Sequence, residues 1–172
     1  MRMEDLDFSD IKFGIDKEDE IKARFLKRLE TWRMMKNSLI NSPRLPYSRM
    51  DVQRTGAEKN LHSFLNITRT ILGVSDADFF KVKQKEDADF AIGDAIKIKE
   101  RFIKQVAELV LTEESHSTDG ILSSSVNEAR RMLGISDSVF SGLKSQVKHK
   151  CLQKKTEANI ISGDWLKKLE KL

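Results

Sequence analysis

A chain of 172 residues, 39% hydrophobic and 34% charged, suits one domain able to bury roughly 70% of its unfolded surface without staples. Its single cysteine, Cys151, excludes an internal disulfide and a cysteine-rich zinc site, and fits a packed or half-exposed thiol in a reducing compartment. The net charge of +4 is divided unevenly: residues 1–20 hold three basic and eight acidic side chains, a balance of −5, whereas residues 141–172 hold eight lysines and three acids, a balance of +5.

The opening MRMEDLDFSD is acidic where a secretory signal would be basic and then apolar. Ser9 or Asp10 can cap a short segment that closes at Gly14. Asp16 then caps a helix running to about Leu39, with acids in its first turn and Ile21, Phe25, Leu29, Trp32 and Met35 on one stripe. NSPRLPYS holds both prolines of the chain and reads as a stiff connector; its Pro43-Arg44-Leu45-Pro46 has the bare form of a polyproline ligand. A helix over residues 57–72 carries Leu61, Phe64, Leu65, Thr68, Ile71 and Leu72, and stops at Gly73. Ser75 opens another with Phe79, Phe80 and Val82.

Asp87 or Asp89 opens the longest helix, to about Leu111, with Phe90, Ile92, Ile96, Ile98, Phe102, Ile103, Val106, Leu109 and Val110 forming a face broad enough for neighbours on two sides. Residues 113–120 read as a loop, followed by helices over 124–133 and 136–157 and a last short one opened by Ser162. Trp165, Leu166, Leu169 and Leu172 give that last helix an apolar edge, for packing back on the domain or docking on a partner. No stretch alternates like a strand and no apolar run reaches the ~20 residues that span a bilayer. The expectation is an all-α bundle of about seven helices without a transmembrane segment, intracellular, soluble and in the simplest case cytoplasmic.

ILGVSDADFF at 71–80 and MLGISDSVFS at 132–141 write one pattern twice. Gly73 and Gly134 each supply the left-handed residue after a helix. Ser75 and Ser136 cap the next helix, and Asp76 and Asp137 stand in its dipole. Val74 with Phe79, and Ile135 with Phe140, have the spacing of a hydrophobic staple. The unit is a stapled helix–glycine–serine–helix hairpin, present twice, and suggests two repeat-like halves at about 50–88 and 89–157 behind the acidic segment 1–20. A fainter echo links GILSSSV with NIISGDW.

VAELVLTEESHSTDGILSSSVNEARRMLGISDSVFSGL, residues 106–143, resembles the TerB-like family of small helical domains, which includes tellurite-resistance TerB proteins and the C-terminal half of membrane DnaJ-like co-chaperones. The likeness rests on an apolar helix, the Asp119-Gly120-Ile121 turn, and Leu133-Gly134-Ile135-Ser136 before a phenylalanine. Val126 stands where that family usually carries a glutamate, which leaves an acidic metal or ligand site without that ligand. The tandem unit is also similar to the large helical-repeat subunit of the chloroplast inner-envelope translocon. Both resemblances imply a scaffold or docking role rather than catalysis.

Gly134 also fits the turn of a DNA-binding helix-turn-helix, with Ala129, Leu133, Ile135, Phe140 and Leu143 at its apolar positions. Arg130 then occupies a contact position that wants a small residue, and Asp76, Asp78 and Asp137 repel phosphates. Lys144, Lys148, His149, Lys150, Lys154 and Lys155 form a basic helix that is either solvated or a contact for a polyanion or protein partner; it lacks interleaved aromatics for base stacking. Glu113, Glu114, His116 and Asp119 do not follow the alternation of a calcium loop. His62 and His149 have no carboxylate at a telling interval, so no catalytic triad is visible. The reading is a non-enzymatic interaction or scaffold module without catalytic, cofactor or metal residues; the alternative is a nucleic-acid-binding regulator using the hairpin and the basic helix 144–155.

Overall fold

The computed structural model describes residues 6–41, 62–84, 89–114 and 120–169, with side chains left undescribed at 39–41 and 158–169. Among them are six helices and no strand: α1 (Glu18–Asn41), α2 (62–72), α3 (Asp76–Gln84), α4 (Ala95–Glu114), α5 (Gly120–Met132) and α6 (Asp137–Leu169). α4 packs on both α5 and α6, and α1 packs on α5, so the broad apolar face of α4 does have neighbours on two sides.

Several expected boundaries move. α4 begins at Ala95, not at Asp87 or Asp89, because the Asp94 carboxylate accepts from the amides of Ile96 at 2.8 Å and Lys97 at 3.4 Å. Phe90 and Ile92 therefore precede the helix, and Ile96 falls on its outer face, 68% exposed. α5 starts at Gly120, four residues before the expected Ser124. Ser162 opens nothing: backbone helix continues through Ser162-Gly163 to Leu169, which merges two expected helices into one. The segment 9–14 forms no helix beyond a turn at Ser9-Asp10, where the Asp7 carboxylate accepts from the Ser9 amide at 2.9 Å. Met35 lies outside the stripe of α1 and is exposed. The proline connector lies outside the described residues.

Gly73 and Gly134 each stand between two helices. Gly73 and Gly134 sit at φ +74° and +72°. The amides of Val74 and Ile135 turn back onto the carbonyls of Arg69 and Arg130, each at 3.0 Å. Ser75 Oγ accepts from the amide of Asp78 at 3.0 Å, and Ser136 Oγ from that of Val139 at 3.4 Å. Val74, Phe79 and Ile135 are buried, and Phe140 packs half-buried against the core.

Each joint has a further member that the pattern did not single out. Arg69 donates to the Val74 carbonyl at 3.1 Å, pairs with Asp76 and stacks on Phe79 at 5.2 Å. Arg130 donates to the Ile135 carbonyl at 3.2 Å, pairs with Asp137 at 2.7 Å and stacks on Phe140 at 5.4 Å. The position that would obstruct a helix-turn-helix is thus the clamp of the joint.

The segments around the starts of α1 and α4 each engage the end of a helix distant in sequence. Ahead of α1, the Asp16 amide donates to the carbonyl of Leu133 at 2.9 Å, and Arg24 Nη1 reaches that of Met132 at 2.8 Å. Ahead of α4, the Gly93 amide donates to the carbonyl of Leu72 at 2.8 Å, and Arg101 Nε reaches that of Ile71 at 3.0 Å. These contacts satisfy carbonyls that a helix end leaves open. The rings follow the same scheme: Phe25 lies 6.2 Å from Phe79 and 5.7 Å from Phe90, while Phe102 lies 6.2 Å from Phe140 and 6.0 Å from Phe13. Phe25 and Phe102 are wholly buried in one core. Tilted pairs of this kind add about 0.5–1.5 kcal/mol each beyond area burial.

Candidate functional site

α6 is 33 residues long, roughly 50 Å at 1.5 Å per residue, and passes the C-terminal end of α4. Lys144, Lys148, Leu152 and Lys155 recur at three- and four-residue spacing, so α6 turns one mixed stripe toward α4. α4 ends in Glu113-Glu114. Lys144 Nζ meets Glu113 at 2.8 Å, and Lys155 Nζ meets Glu114 at 2.6 Å. The hydrogen bond from Lys155 holds the Glu114 carboxyl below the usual glutamate range, with the charges of Lys155 and Lys148 adding to it.

Between the two helices runs an open groove of about 920 Å³ with Val110, Phe140 and Leu152 as its apolar lining and Glu113, Lys144 and Lys148 among its polar walls. Leu152 is 45% exposed there. The groove thus offers an apolar strip bordered by both signs of charge, which suits a helix or peptide of mixed character.

The other basic residues are largely engaged by carboxylates. Lys150 pairs with Asp10 and donates to the Asp7 carbonyl at 2.8 Å, tying the acidic N-terminal segment to α6. Lys154 lies 4.0 Å from Glu157. Of the five lysines, Lys148 alone has no carboxylate partner among the described residues, and His149 is exposed. The uneven charge of the two ends therefore meets inside one molecule at Lys150–Asp10.

Glu113 and Glu114, grouped by sequence with His116 and Asp119, serve as lysine partners; His116 and Asp119 lie outside the described residues. No group of three or more His, Cys, Asp or Glu among the described residues could hold a metal ion. His62 contacts Asn66 at 3.1 Å and Lys83 at 3.5 Å. Cys151 is fully buried, and burial pushes its thiol above the ordinary value, followed by the Glu114 charge. Among the described residues no helix is long and apolar enough to cross a membrane. No family model, curated protein or solved structure matches the chain.

Proposed function

We propose that the chain is a non-enzymatic interaction or scaffold module that takes an amphipathic helix of a protein partner in the groove between α4 and α6. The observation that carries this reading is the groove itself: Val110, Phe140 and Leu152 form an apolar line with Glu113 and Lys148 on its borders. Apolar residues at three- and four-residue spacing would lie on that line, and side chains of either sign would find a complement. The scaffold or docking role implied by the TerB-like resemblance agrees with it. The buried Cys151 thiol suits a reducing intracellular setting.

The framework is read as two copies of a three-helix unit, α1–α3 and α4–α6. Support comes from two constant offsets. Arg69, Gly73, Ser75 and Phe79 match Arg130, Gly134, Ser136 and Phe140, each pair 61 apart; Phe13, Arg24 and Phe25 match Phe90, Arg101 and Phe102, each pair 77 apart. Lys99 over Phe13 and Lys22 over Phe90, both at 5.8 Å, obey the second offset. This division includes α1 in the first half, beyond the 50–88 span read from the hairpin alone.

The nucleic-acid alternative finds less support, since four of the five lysines proposed for it are paired with carboxylates. Affinity capture with the wild-type chain and with Leu152→Glu, both checked for equal helicity, separates the readings. A protein retained by the wild type and lost from Leu152→Glu supports the groove. An identical set of captured proteins, or salt-sensitive capture of nucleic acid alone, contradicts it.

A further inference from the structure

The Glu113–Lys144 pair, 2.8 Å long, has a counterpart in the first half that breaks the match. Subtracting the same offsets leads from Glu113 to Lys36 and from Lys144 to Lys83. Where the second half places an acid against a base, the first places two bases. Both ammonium groups lie on the ring of Trp32, Lys36 at 5.1 Å and Lys83 at 5.2 Å, and Lys83 also lies 4.5 Å from the Phe79 centroid. The nearby acids are committed elsewhere, Asp76 to Arg69 and Asp78 to Lys81. Neither Lys36 nor Lys83 has a carboxylate partner among the described residues.

We infer that Lys36 and Lys83, which share the ring of Trp32, form a receptor for a carboxylate side chain of an acidic peptide, which would meet Lys83 as Glu113 meets Lys144. Three features argue for this chemistry. An uncompensated pair of half-buried cations gains most from an anion that neutralises both. Burial holds the Lys83 ammonium below the ordinary lysine value, with Lys36 and Arg69 adding to it, the direction an arriving anion would reverse. The lysine equivalent to Lys83, Lys144, already holds a carboxylate by a hydrogen bond, that of Glu113. The inference adds a second surface to the interaction-module reading and rests on it only for the protein nature of the partner.

The test uses the full chain carrying Trp165→Phe, which leaves Trp32 as the sole tryptophan, and a blocked oligoglutamate peptide at low ionic strength. Saturable change in Trp32 emission is expected. Lys83→Gln should weaken binding about tenfold, the equivalent of about 1.4 kcal/mol. Lys36→Glu should abolish binding and raise the melting temperature, because it installs the missing acid–base pair. Leu152→Glu, in the groove of the other half, should leave the titration unchanged, so loss of the groove reading does not remove this one. An emission unaffected by the peptide, binding that survives Lys36→Glu, or a lowered melting temperature for that variant would overturn the inference. An oligonucleotide of equal charge that binds more tightly, with the same dependence on Lys36 and Lys83, would overturn the acidic-peptide assignment in favour of phosphate.

Discussion

Arg101 Nε lies 3.0 Å from the carbonyl oxygen of Ile71, so the last turn of α2 is finished by a side chain of α4 rather than by its own continuation. Arg24 does the same for Met132 at the end of α5. The Arg101 guanidinium fills a cleft that the joint glycine leaves open: a Cβ on Gly73 would meet Arg101 Nη2 at 2.5 Å and the Gly93 Cα at 2.8 Å. Replacing Arg101 by Met keeps the stem but strands the carbonyl, and should cost about 2 kcal/mol in urea unfolding. An unchanged midpoint would remove this contact from the account.

Glycines at the joints and elsewhere should behave oppositely. Gly134 combines φ +72° with an Asp16 carboxylate where a Cβ would go, so Gly134→Ala should destabilise by about 2–3 kcal/mol. Gly142 lies exposed within α6 with nothing within 4 Å, and Gly142→Ala should stabilise by about 0.5–1 kcal/mol. Equal effects of the two substitutions, in calorimetry or denaturant titration, would contradict the joint geometry.

Acid should loosen the N-terminal segment before the bundle. Asp7 is held below the usual aspartate range by hydrogen bonds from Ser9, and Asp10 by its hydrogen bond with Lys150. A carboxyl whose folded value is lowered contributes stability above its unfolded value and loses it as pH falls through the folded one, here below about 4. Amide exchange near Phe8 and Ile11 should rise in that window and match the exchange of Lys150→Ala at neutral pH. Exchange that does not change down to pH 3 would show that the clasp contributes nothing.

Cys151 should be inert in the folded chain. Its fully buried sulfur and raised thiol value leave little thiolate, so disulfide reagents at pH 8 should label it only at the rate of opening, and fast in urea. Rapid labelling of the native chain would place α6 differently.

The joints were legible because their chemistry is local: a left-handed glycine, a serine cap and a staple are written within nine residues. Arg69 and Arg130 lie two residues ahead of the repeated stretches, and their role depends on a carbonyl across the turn, while Arg130 read as an obstacle. Arg24, Arg101, Asp16 and Gly93 act on helix ends distant in sequence, so nothing near them reveals the task. The likeness of FGIDKEDEIKARF to FAIGDAIKIKERF is offset differently from that of the two glycine joints, because the stretch between α1 and α2 is longer than that between α4 and α5. Lys144, Lys150 and Lys155 were visible as charges, whereas their acidic partners follow only from the packing of α6 on α4 and on the N-terminal segment. Lys36 and Lys83 look ordinary until their equivalents form a pair.

Native-state hydrogen exchange on Arg101→Met tests most directly the proposed interlocking of α1–α3 with α4–α6. The amides of Val74 and Ile135 close the two joints by equivalent hydrogen bonds, and halves that finish each other's helices should open as one unit. Loss of Arg101 should therefore lower protection at Val74 and Ile135 by the same amount, although it touches only the first joint. Lowered protection at Val74 with Ile135 unchanged would mean that the halves stand independently.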